Sequence, residues 1–358
     1  MIPRESRSLR LGELSRELGA VLDGDPQLEI RGVAALDEAT PEQIAALYRA
    51  GEVEAALASR AGALIVSEAL SSSLEGRSVL IAKSPKAAMA RAMECLNPRV
   101  PVVGGVHETA VVDPSAEVAE SACIGALSVI SARCRIGEGA SIGPGCVLLE
   151  DVDVADGVVL HPRVVVYAGC VIERNAEVFA GAVVGAPGFG HARDEQGEVV
   201  RIPHLGSACL EEGSEVGANT TIDRGTFGTT RIGSRARLDN LVQVGHNVEL
   251  GVDSLVAGQS GLSGSCRVGR GVMIGGQSGV ADHVVIGDGV AVAAKTAVLQ
   301  DVDAGQVVAG TPAMPIGLWR RLVAVESRLP EVWVRLRNLL ERERDGSGGN
   351  GKGEGDPS

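Results

Sequence analysis

A single histidine interrupts a strongly aliphatic stretch of the sequence, DNLVQVGHNVELG, which runs from Asp239 to Gly251. An imidazole exchanges protons near neutral pH, because its ordinary pKa is about 6.5, and it is therefore suited to general-base chemistry. A packed aliphatic repeat gains little from such a group. His246 is either an incidental surface residue or the group that the surrounding scaffold serves.

A hexapeptide repeat supplies the elements that must position His246. Aliphatic residues recur every six positions from Val112 to Val184 and, after an interruption and a slip of four residues, from Ile232 to Val298. Small or β-branched residues stand four positions after each aliphatic one, and they include Cys134, Cys146, Cys170 and Cys266. We interpret these cysteines as small buried hydrophobic residues, because no pair has the spacing of metal ligands.

The composition agrees with a narrow core. Aromatic residues make up only 2% of the 358 residues, whereas there are 48 glycines. Hexapeptides such as IGEGAS and VGRGVM resemble those of the hexapeptide-repeat acyltransferases. That resemblance implies a left-handed parallel β-helix in which three hexapeptides, or 18 residues, form one triangular coil. The fold class we expect is mainly β.

The repeat places three candidate residues on one edge of the β-helix. Val244 and Val280, which shortly precede His246 and His283, are 36 residues apart, or two coils. At about 4.8 Å per coil the two histidines would lie about 10 Å apart along the axis. Gly264 follows His246 by 18 residues, so it lies one coil further along at the same angular position.

Charge and composition disfavour several classes of protein. The net charge of −13 argues against a general nucleic-acid surface. No apolar run is long enough to span a membrane, and the first residues carry no apolar signal core, so we expect a cytoplasmic protein with free thiols at its seven cysteines. Two aligned histidines without a third do not make a zinc site. We expect no metal and no cofactor.

The chain divides into four segments. Residues 1–105 lack the repeat and predict a small α/β domain, with buried strands in GALIVSEA and RSVLIAKS, and a family resemblance of the chain implies that this domain is nucleotide-binding-like. The β-helix is expected over 106–312, with an insertion from Gly185 to Ser207. Residues 313–344 predict two helices separated near Pro330, which form either a capping hairpin or a docking surface for an acidic partner. The tail 345–358 is expected to be disordered.

Seven motifs resemble, in order, the UDP-3-O-(3-hydroxyacyl)glucosamine N-acyltransferase family of lipid A biosynthesis. They read LRLGELSRELGA, IRGVAALDEATPEQ, HETAVVDPSA, GFG, TTIDRG, DNLVQVGHNVELG and GTPAMP, and the resemblance covers roughly residues 8–340. The resemblance implies an enzyme that moves a 3-hydroxyacyl chain from acyl carrier protein to the 2-amino group of a UDP-3-O-acylglucosamine. It also implies a homotrimer with active sites in the clefts between neighbouring β-helices.

The same resemblance assigns roles to individual residues. It makes His246 the general base that takes a proton from the attacking amine. It makes the backbone N–H of Gly264 a donor to the tetrahedral oxyanion. His283 is expected to contact substrate. Asp239 and Asn240 are candidates for substrate binding and for orienting the imidazole.

The segment that holds the uridine nucleotide in this family differs in this chain. The sequence reads LYRAGEV, with Leu47 in the place of a stacking Phe, Ala50 of an Asn, Glu52 of a Lys and Val53 of a Tyr. Tyr48 is then the candidate for stacking on the base. The surrounding pattern, PEQIAALYRAGEVEAALA (residues 41–58), predicts an ordinary helix.

Two further histidines, one in the insertion and one before it, differ in their expected roles. The insertion is long enough to be a functional loop, and the family uses it near the acceptor. His191 in this loop stands where an aromatic residue is common. His161 lies nearly five coils before His246, and we interpret it as structural.

Two alternatives to the implied reaction stay open. The first keeps the β-helix and His246 but transfers the acyl group to a different nucleotide sugar or amine, because LYRAGEV departs from the family pattern. The second is a catalytically silent β-solenoid scaffold. The placement of His246 within its motif and the flanking domains that lack the repeat argue against the scaffold.

Overall fold

The computed structural model describes residues 5–100, 104–326 and 328–346, which fall into two compact units, residues 1–102 and 103–358. The first unit is a small α/β fold and the second is a long parallel β-helix that ends in two helices. The expected fold, a left-handed parallel β-helix with a small α/β domain before it and helices after it, is confirmed. Among the described residues, no helix is both long and apolar enough to cross a membrane.

The first unit is built around a five-stranded sheet. Its strands, in spatial order, are Val21–Asp23, Ser78–Ile81, Ala63–Val66, Gln43–Ala46 and Gly32–Val33. Only the pairing of Val21–Asp23 with Ser78–Ile81 is antiparallel. A separate antiparallel pair joins Leu9–Arg10 to Glu29–Ile30. The helices of this unit are Leu11–Leu18, Val53–Ala58, Glu68–Ser71 and Pro85–Leu96, with 3₁₀ turns at Ala50–Glu52 and Ser72–Leu74.

The helix predicted over residues 41–58 is wrong in its first half. Gln43–Ala46 is a central strand, and the helix begins only at Val53. Alternate residues of this strand are buried in two different cores, Ile44 and Ala46 on one side of the sheet and Ala45 on the other. A strand buried on both faces is a continuous apolar run, which periodicity alone does not distinguish from a buried helix.

Three long sheets form the faces of the β-helix. The first face contains Gly105–Val106, Cys123–Ile124, Ser141–Ile142, Val159–Leu160, Glu177–Val178, Glu215–Val216, Arg237–Leu238, Leu255–Val256, Met273–Ile274, Ala291–Val292, Val307–Ala309 and Met314–Pro315. The second contains Val111–Val112, Val129–Ile130, Val147–Leu148, Val165–Val166, Val183–Ala186, Thr221–Asp223, Gln243–Val244, Gly261–Leu262, Gly279–Val280 and Ala297–Val298. The third contains Glu117–Val118, Arg135–Ile136, Asp153–Val154, Val171–Ile172, Ser207–Leu210, Thr229–Ile232, Glu249–Leu250, Arg267–Val268 and Val285–Ile286.

Each coil turns at corners that follow the hexapeptide period. The aliphatic residue of each hexapeptide points inward, and Val244, Leu262 and Val280 pair directly from coil to coil on the second face. The glycine that often follows is required by the stacking of coils. A Cβ at Gly245, for example, would lie 2.8 Å from the backbone nitrogen of Gly264 in the next coil. The chain therefore passes too closely over its neighbour for a side chain there.

Both interruptions of the repeat lie at the same corner, between the second and third faces. The long insertion separates Val183–Ala186 from Ser207–Leu210, and it contains a hairpin of His191–Arg193 with Val199–Arg201. The four-residue slip separates Thr221–Asp223 from Thr229–Ile232 in the next coil. The two segments hydrogen-bond to each other, because Leu205 N–H donates to the Thr226 carbonyl at 3.0 Å. His246 stands at this corner one coil later.

The cysteines of the repeat lie in the core as predicted. Cys134, Cys146, Cys170 and Cys266 are fully buried. Burial raises the pKa of Cys146 to about 11 and that of Cys266 to about 12. These thiols therefore stay protonated near neutral pH and act as small apolar side chains.

Two helices, Ile316–Glu326 and Leu329–Gly346, follow the β-helix. Pro330 lies in the first turn of the second helix, where its missing N–H is tolerated. Both helices leave apolar side chains exposed, among them Leu322, Val332 and Trp333. The second helix extends two residues beyond the predicted boundary at 344. The rest of the predicted disordered tail lies outside the described residues.

Candidate active site

His246 stands at the corner directly after the strand Gln243–Val244, with its ring half-buried. Two oxygen atoms flank its Nδ1: the Asn247 Oδ1 at 3.2 Å and the Thr226 Oγ1 at 3.3 Å. Thr226 belongs to the four-residue slip. The segment that breaks the repeat therefore contacts the imidazole directly.

The orientation of the Asn247 amide fixes the tautomer of His246. The amide nitrogen donates to the Phe227 carbonyl at 2.6 Å, and the amide oxygen accepts the Thr226 backbone N–H at 2.9 Å. The oxygen is thus the atom that faces Nδ1, and only a protonated Nδ1 can hydrogen-bond to it. This leaves the lone pair on Nε2, which is the arrangement that a general base requires.

Gly264 lies against the face of the imidazole. A Cβ at this position would lie 2.6 Å from the His246 Nε2 and 2.7 Å from Cε1. No side chain fits there while the ring keeps its place. The glycine was predicted to let a substrate carbonyl approach the backbone. In the structure its most direct effect is to make room for the His246 imidazole.

A cavity of about 870 Å³ opens in front of this pair. Its size is in the range of small-molecule sites. Besides His246 and Gly264 it is lined by polar and aromatic side chains from the insertion and the corner: Phe189, His191, Arg201, Asp223, Asp282 and His283. The cavity thus combines a base, one cationic group and two carboxyl groups.

Two titratable residues close to His246 are almost fully buried. His204, from the insertion, has its ring centroid 5.1 Å from that of His246 and is 7% exposed. Burial, followed by the nearby His246, lowers the pKa of His204. Asp223 is also 7% exposed, and burial raises the pKa of its carboxyl. Both shifts favour the uncharged forms.

The structure brings His283 to the cavity, with a small difference in register. The residue directly in line with His246 and Gly264 is Asp282 rather than His283. All three stand two positions after an aliphatic residue that pairs with its counterpart in the next coil. His283 stacks instead in line with Asn247 and Ser265, and like them it has a positive φ, of 60°. The exposed imidazole of His283 still lines the same cavity.

The proposal that Asp239 and Asn240 orient the imidazole is wrong within one chain. The Asp239 carboxylate accepts the backbone N–H groups of Gly258 and Asn240, and the Asn240 amide oxygen accepts that of Ala218. One hexapeptide is one side of the triangular coil, so residues six or seven apart lie at neighbouring corners. Both side chains line a different, more apolar groove of about 1080 Å³ along the first face.

In the first unit, Leu47 is fully buried and so does not present a surface for stacking. Tyr48 is 44% exposed, and the Glu52 carboxylate accepts its backbone N–H at 3.1 Å. Tyr48 is therefore the accessible ring of this segment. Within the described residues, no group of three or more His, Cys, Asp or Glu side chains is arranged to hold a metal ion.

Residues 27–95 match the LpxD family, described as UDP-3-O-(3-hydroxymyristoyl) glucosamine N-acyltransferase. A solved structure of LpxA from Acinetobacter baumannii is 26% identical over 60% of this chain and 76% of that chain, with a TM-score of 0.46.

Curated relatives match nearly the whole chain. UDP-3-O-acylglucosamine N-acyltransferase 1 of Koribacter versatilis is 46% identical over 341 residues, which is 94% of this chain and all of the relative. The chain belongs to the UDP-3-O-acylglucosamine N-acyltransferase family. A member from Anaeromyxobacter dehalogenans is 37% identical, with 93% of this chain and 95% of the relative covered. The predicted family is confirmed, and the protein is an acyltransferase.

Four residues at the site of this acyltransferase were not found from its sequence. They are Thr226 and Asn247, which contact the imidazole, and the buried residues His204 and Asp223. Asp223 lies in TTIDRG, a motif quoted only for its resemblance. His161, interpreted as structural, is paired with Glu177 at 2.9 Å and stacked on Phe179, away from the cavity.

Proposed function

We propose that this acyltransferase moves a 3-hydroxyacyl group from acyl carrier protein to the 2-amino group of a UDP-3-O-acylglucosamine, with His246 as the general base. The acceptor is the one that the names of its relatives state. The observation that carries the role of His246 is its geometry: the Asn247 Oδ1 lies 3.2 Å from Nδ1, which favours a proton there and a lone pair on Nε2, and the residue lines the cavity.

The reaction needs one proton carrier. The amine attacks the thioester carbonyl of the donor, and His246 Nε2 takes a proton from the nitrogen as the C–N bond forms. The tetrahedral intermediate then collapses, the C–S bond breaks, and the imidazolium returns the proton to the departing thiolate. The products are the amide and the free thiol of the carrier. No covalent enzyme intermediate, metal or cofactor takes part.

The oxyanion of the intermediate requires a donor close to His246. We assign this role to the backbone N–H of Gly264, because the glycine lies against the imidazole and no side chain covers it. We assign His283 to contact with the donor or the acceptor at the open side of the cavity. Tyr48 is the candidate for stacking on the uracil.

The assembly and location belong to the same proposal. We propose that the protein works as a homotrimer in the cytoplasm, where each cavity is completed by a neighbouring chain. In such an assembly the neighbouring chain would cover the groove on the first face that Asp239 and Asn240 line. The two exposed C-terminal helices stay candidates for a cap or for docking of the acidic carrier protein.

An in vitro transfer assay tests the proposal. The wild type and His246→Ala are compared with a UDP-3-O-(3-hydroxyacyl)glucosamine acceptor and 3-hydroxyacyl carrier protein. We expect turnover in the wild type and a loss of at least about a hundredfold in the variant, the usual scale for a general base. His107→Ala removes an exposed histidine at the first coil of the β-helix and serves as the matched control.

The other outcomes separate the alternatives. One outcome is a folded wild type that is inert with this acceptor and still transfers acyl groups to another amino sugar. That result identifies a different acceptor and makes Leu47–Val53 the segment to study for its recognition. A wild type that transfers no acyl group to any amine supports the scaffold. Equal turnover in His246→Ala and the wild type rejects His246 as the base.

A further inference from the structure

His204 is the most buried titratable residue of the insertion, and its polar atoms are not both satisfied. Its Nδ1 lies 3.1 Å from the Ile202 carbonyl, which only accepts hydrogen bonds, so Nδ1 carries the proton. Its Nε2 is buried, and among the described residues it has no hydrogen-bond partner. An unsatisfied buried acceptor is costly to folding and therefore calls for a functional explanation.

Two glycines of the insertion make room for this ring. A Cβ at Gly188 would lie 2.9 Å from the His204 Nε2, and a Cβ at Gly190 would lie 2.7 Å from its Cε1. The GFG motif therefore wraps around His204, whereas Phe189 between the two glycines is 88% exposed. The insertion therefore buries the His204 ring beneath its two glycines.

The ring of His204 contacts the ring of His246. The rings of His204 and His246 are tilted by 59° with their centroids 5.1 Å apart, and Gly264 lies against His246 as well. The backbone next to His204 is fixed at the same place, since Leu205 and Gly206 donate to the carbonyls of Thr226 and Gly225.

We propose that His204 is a positioning residue for acyl transfer, which holds the His246 imidazole in place and keeps water and additional positive charge away from it. The inference rests on the proposed function for its catalytic consequence, but the contact between the rings does not. A neutral neighbour suits a base that becomes an imidazolium during the reaction, because a second cation at this distance would oppose that charge.

The charged and titratable groups around His204 come from three elements. Arg201 lies on the insertion itself, Asp223 on the strand Thr221–Asp223 of the second face, and His246 at the same corner of the β-helix on a later coil. The Asp223 Oδ2 approaches Gly188 from the same side as the His204 Nε2, at 3.3 Å from a Cβ built there. Burial lowers the pKa of His204 and raises that of Asp223, and both shifts favour the uncharged forms.

Kinetics of two variants test the catalytic part. His204→Ala should lower kcat on the order of tenfold, because the imidazole is free to move, with little change in KM for the acceptor. His204→Gln should recover most of kcat, since the amide can donate to the Ile202 carbonyl and still fill the space. Val199→Ala, at an exposed position of the same hairpin, controls for disturbance of the insertion.

Several outcomes overturn the proposal. They are a full kcat in His204→Ala, a Gln variant no better than the Ala variant, or a loss confined to KM and thermal stability. A loss in Val199→Ala equal to that in His204→Ala also overturns it, because the insertion as a whole would then be responsible.

A titration without substrate separates this inference from the proposed function. In ¹⁵N-histidine-labelled protein, His204 should titrate below the ordinary pKa of histidine in the wild type, with its proton on Nδ1 in the neutral form. Its pKa should rise in His246→Ala, because His246 is one of the two main causes of the lowered value. If the wild type shows no turnover, the proposed function fails, and the titration alone then decides whether His204 contacts His246. An unchanged His204 pKa in His246→Ala rejects the contact.

Discussion

The imidazole of His246 occupies the volume that any side chain at Gly264 would need, although the two residues lie on different coils. The first prediction follows from this contact. Gly264→Ala should reduce kcat on the order of a hundredfold, because the added methyl group would lie 2.6 Å from Nε2 and must displace the ring by on the order of 1 Å. The φ of Gly264 is not positive, so the substitution does not strain the backbone.

Thermal unfolding separates this effect from a loss of stability. Gly261→Ala adds the same methyl group three residues earlier, where no heavy atom lies within 4 Å of it. The melting temperatures of both variants should lie within a few degrees of that of the wild type. A normal kcat in Gly264→Ala would show that the imidazole does not need its observed place.

The hydrogen bond between Asn247 and His246 predicts a change in pH dependence. Asn247→Asp places a carboxylate beside Nδ1, which favours the protonated ring, so a higher pH is needed to free the base. The acid limb of kcat/KM should move to higher pH, with activity reduced near neutrality and recovered in alkaline buffer. Asn175→Asp provides the control, because Asn175 has the same left-handed conformation at a different corner. A profile that stays in place for Asn247→Asp would argue against the assigned tautomer.

Spacings of 18 residues along the chain correctly predicted that His246, Gly264 and the region of His283 lie along one corner of the β-helix. The prediction works because consecutive coils pair without a shift on this face. They failed for Thr226 and His204, because both belong to segments that interrupt the period. Position in space is set there by hydrogen bonds between the two interruptions, such as that from Leu205 to Thr226. The sequence contains no spacing rule for such contacts.

Asp239 and Leu47 illustrate two other limits of the sequence. Proximity along the chain suggested that Asp239 assists His246, but the triangular coil carries residues six or seven apart to different corners. For Leu47, alignment to a family position did not reveal whether the side chain faces solvent or core, and the residue is fully buried. Burial depends on the strand Gln43–Ala46, which the apolar pattern did not distinguish from a helix.

Buried Asp223 predicts that stability depends on pH. Its folded-state pKa is raised by burial, so the folded state holds the proton more tightly than the unfolded state does. The contribution of this residue to the free energy of unfolding therefore declines as the pH rises above the ordinary aspartate pKa of about 3.9. Asp223→Asn should raise the melting temperature near pH 7.5 by roughly 2 °C or more.

The control for Asp223 is the same measurement in acid. Below the ordinary aspartate pKa of about 3.9 the carboxyl holds its proton in both the folded and the unfolded state, and the two proteins should then unfold at similar temperatures. A variant that is less stable than the wild type at pH 7.5 would mean that the carboxylate is compensated by partners within the folded protein.

The buried thiols predict a labelling pattern. In the native protein at pH 8, iodoacetamide should leave Cys134, Cys146, Cys170, Cys209 and Cys266 unmodified, because they are buried and their pKa values are raised. After denaturation all seven cysteines should react. Mass spectrometry of the peptides reads both states. Rapid native labelling of Cys266 would contradict a closed core in this coil.

The stacking of both interruptions at one corner has a consequence for how this protein can change. Residues added within a strand would shift its pairing with the coils on either side, whereas residues added at a corner bulge outward and leave the ladders intact. The long insertion and the slip both use this freedom, on consecutive coils next to His246. Changes within the insertion can therefore alter the lining of the cavity without altering the ladders, provided that its last residues still bind to the Thr226 segment.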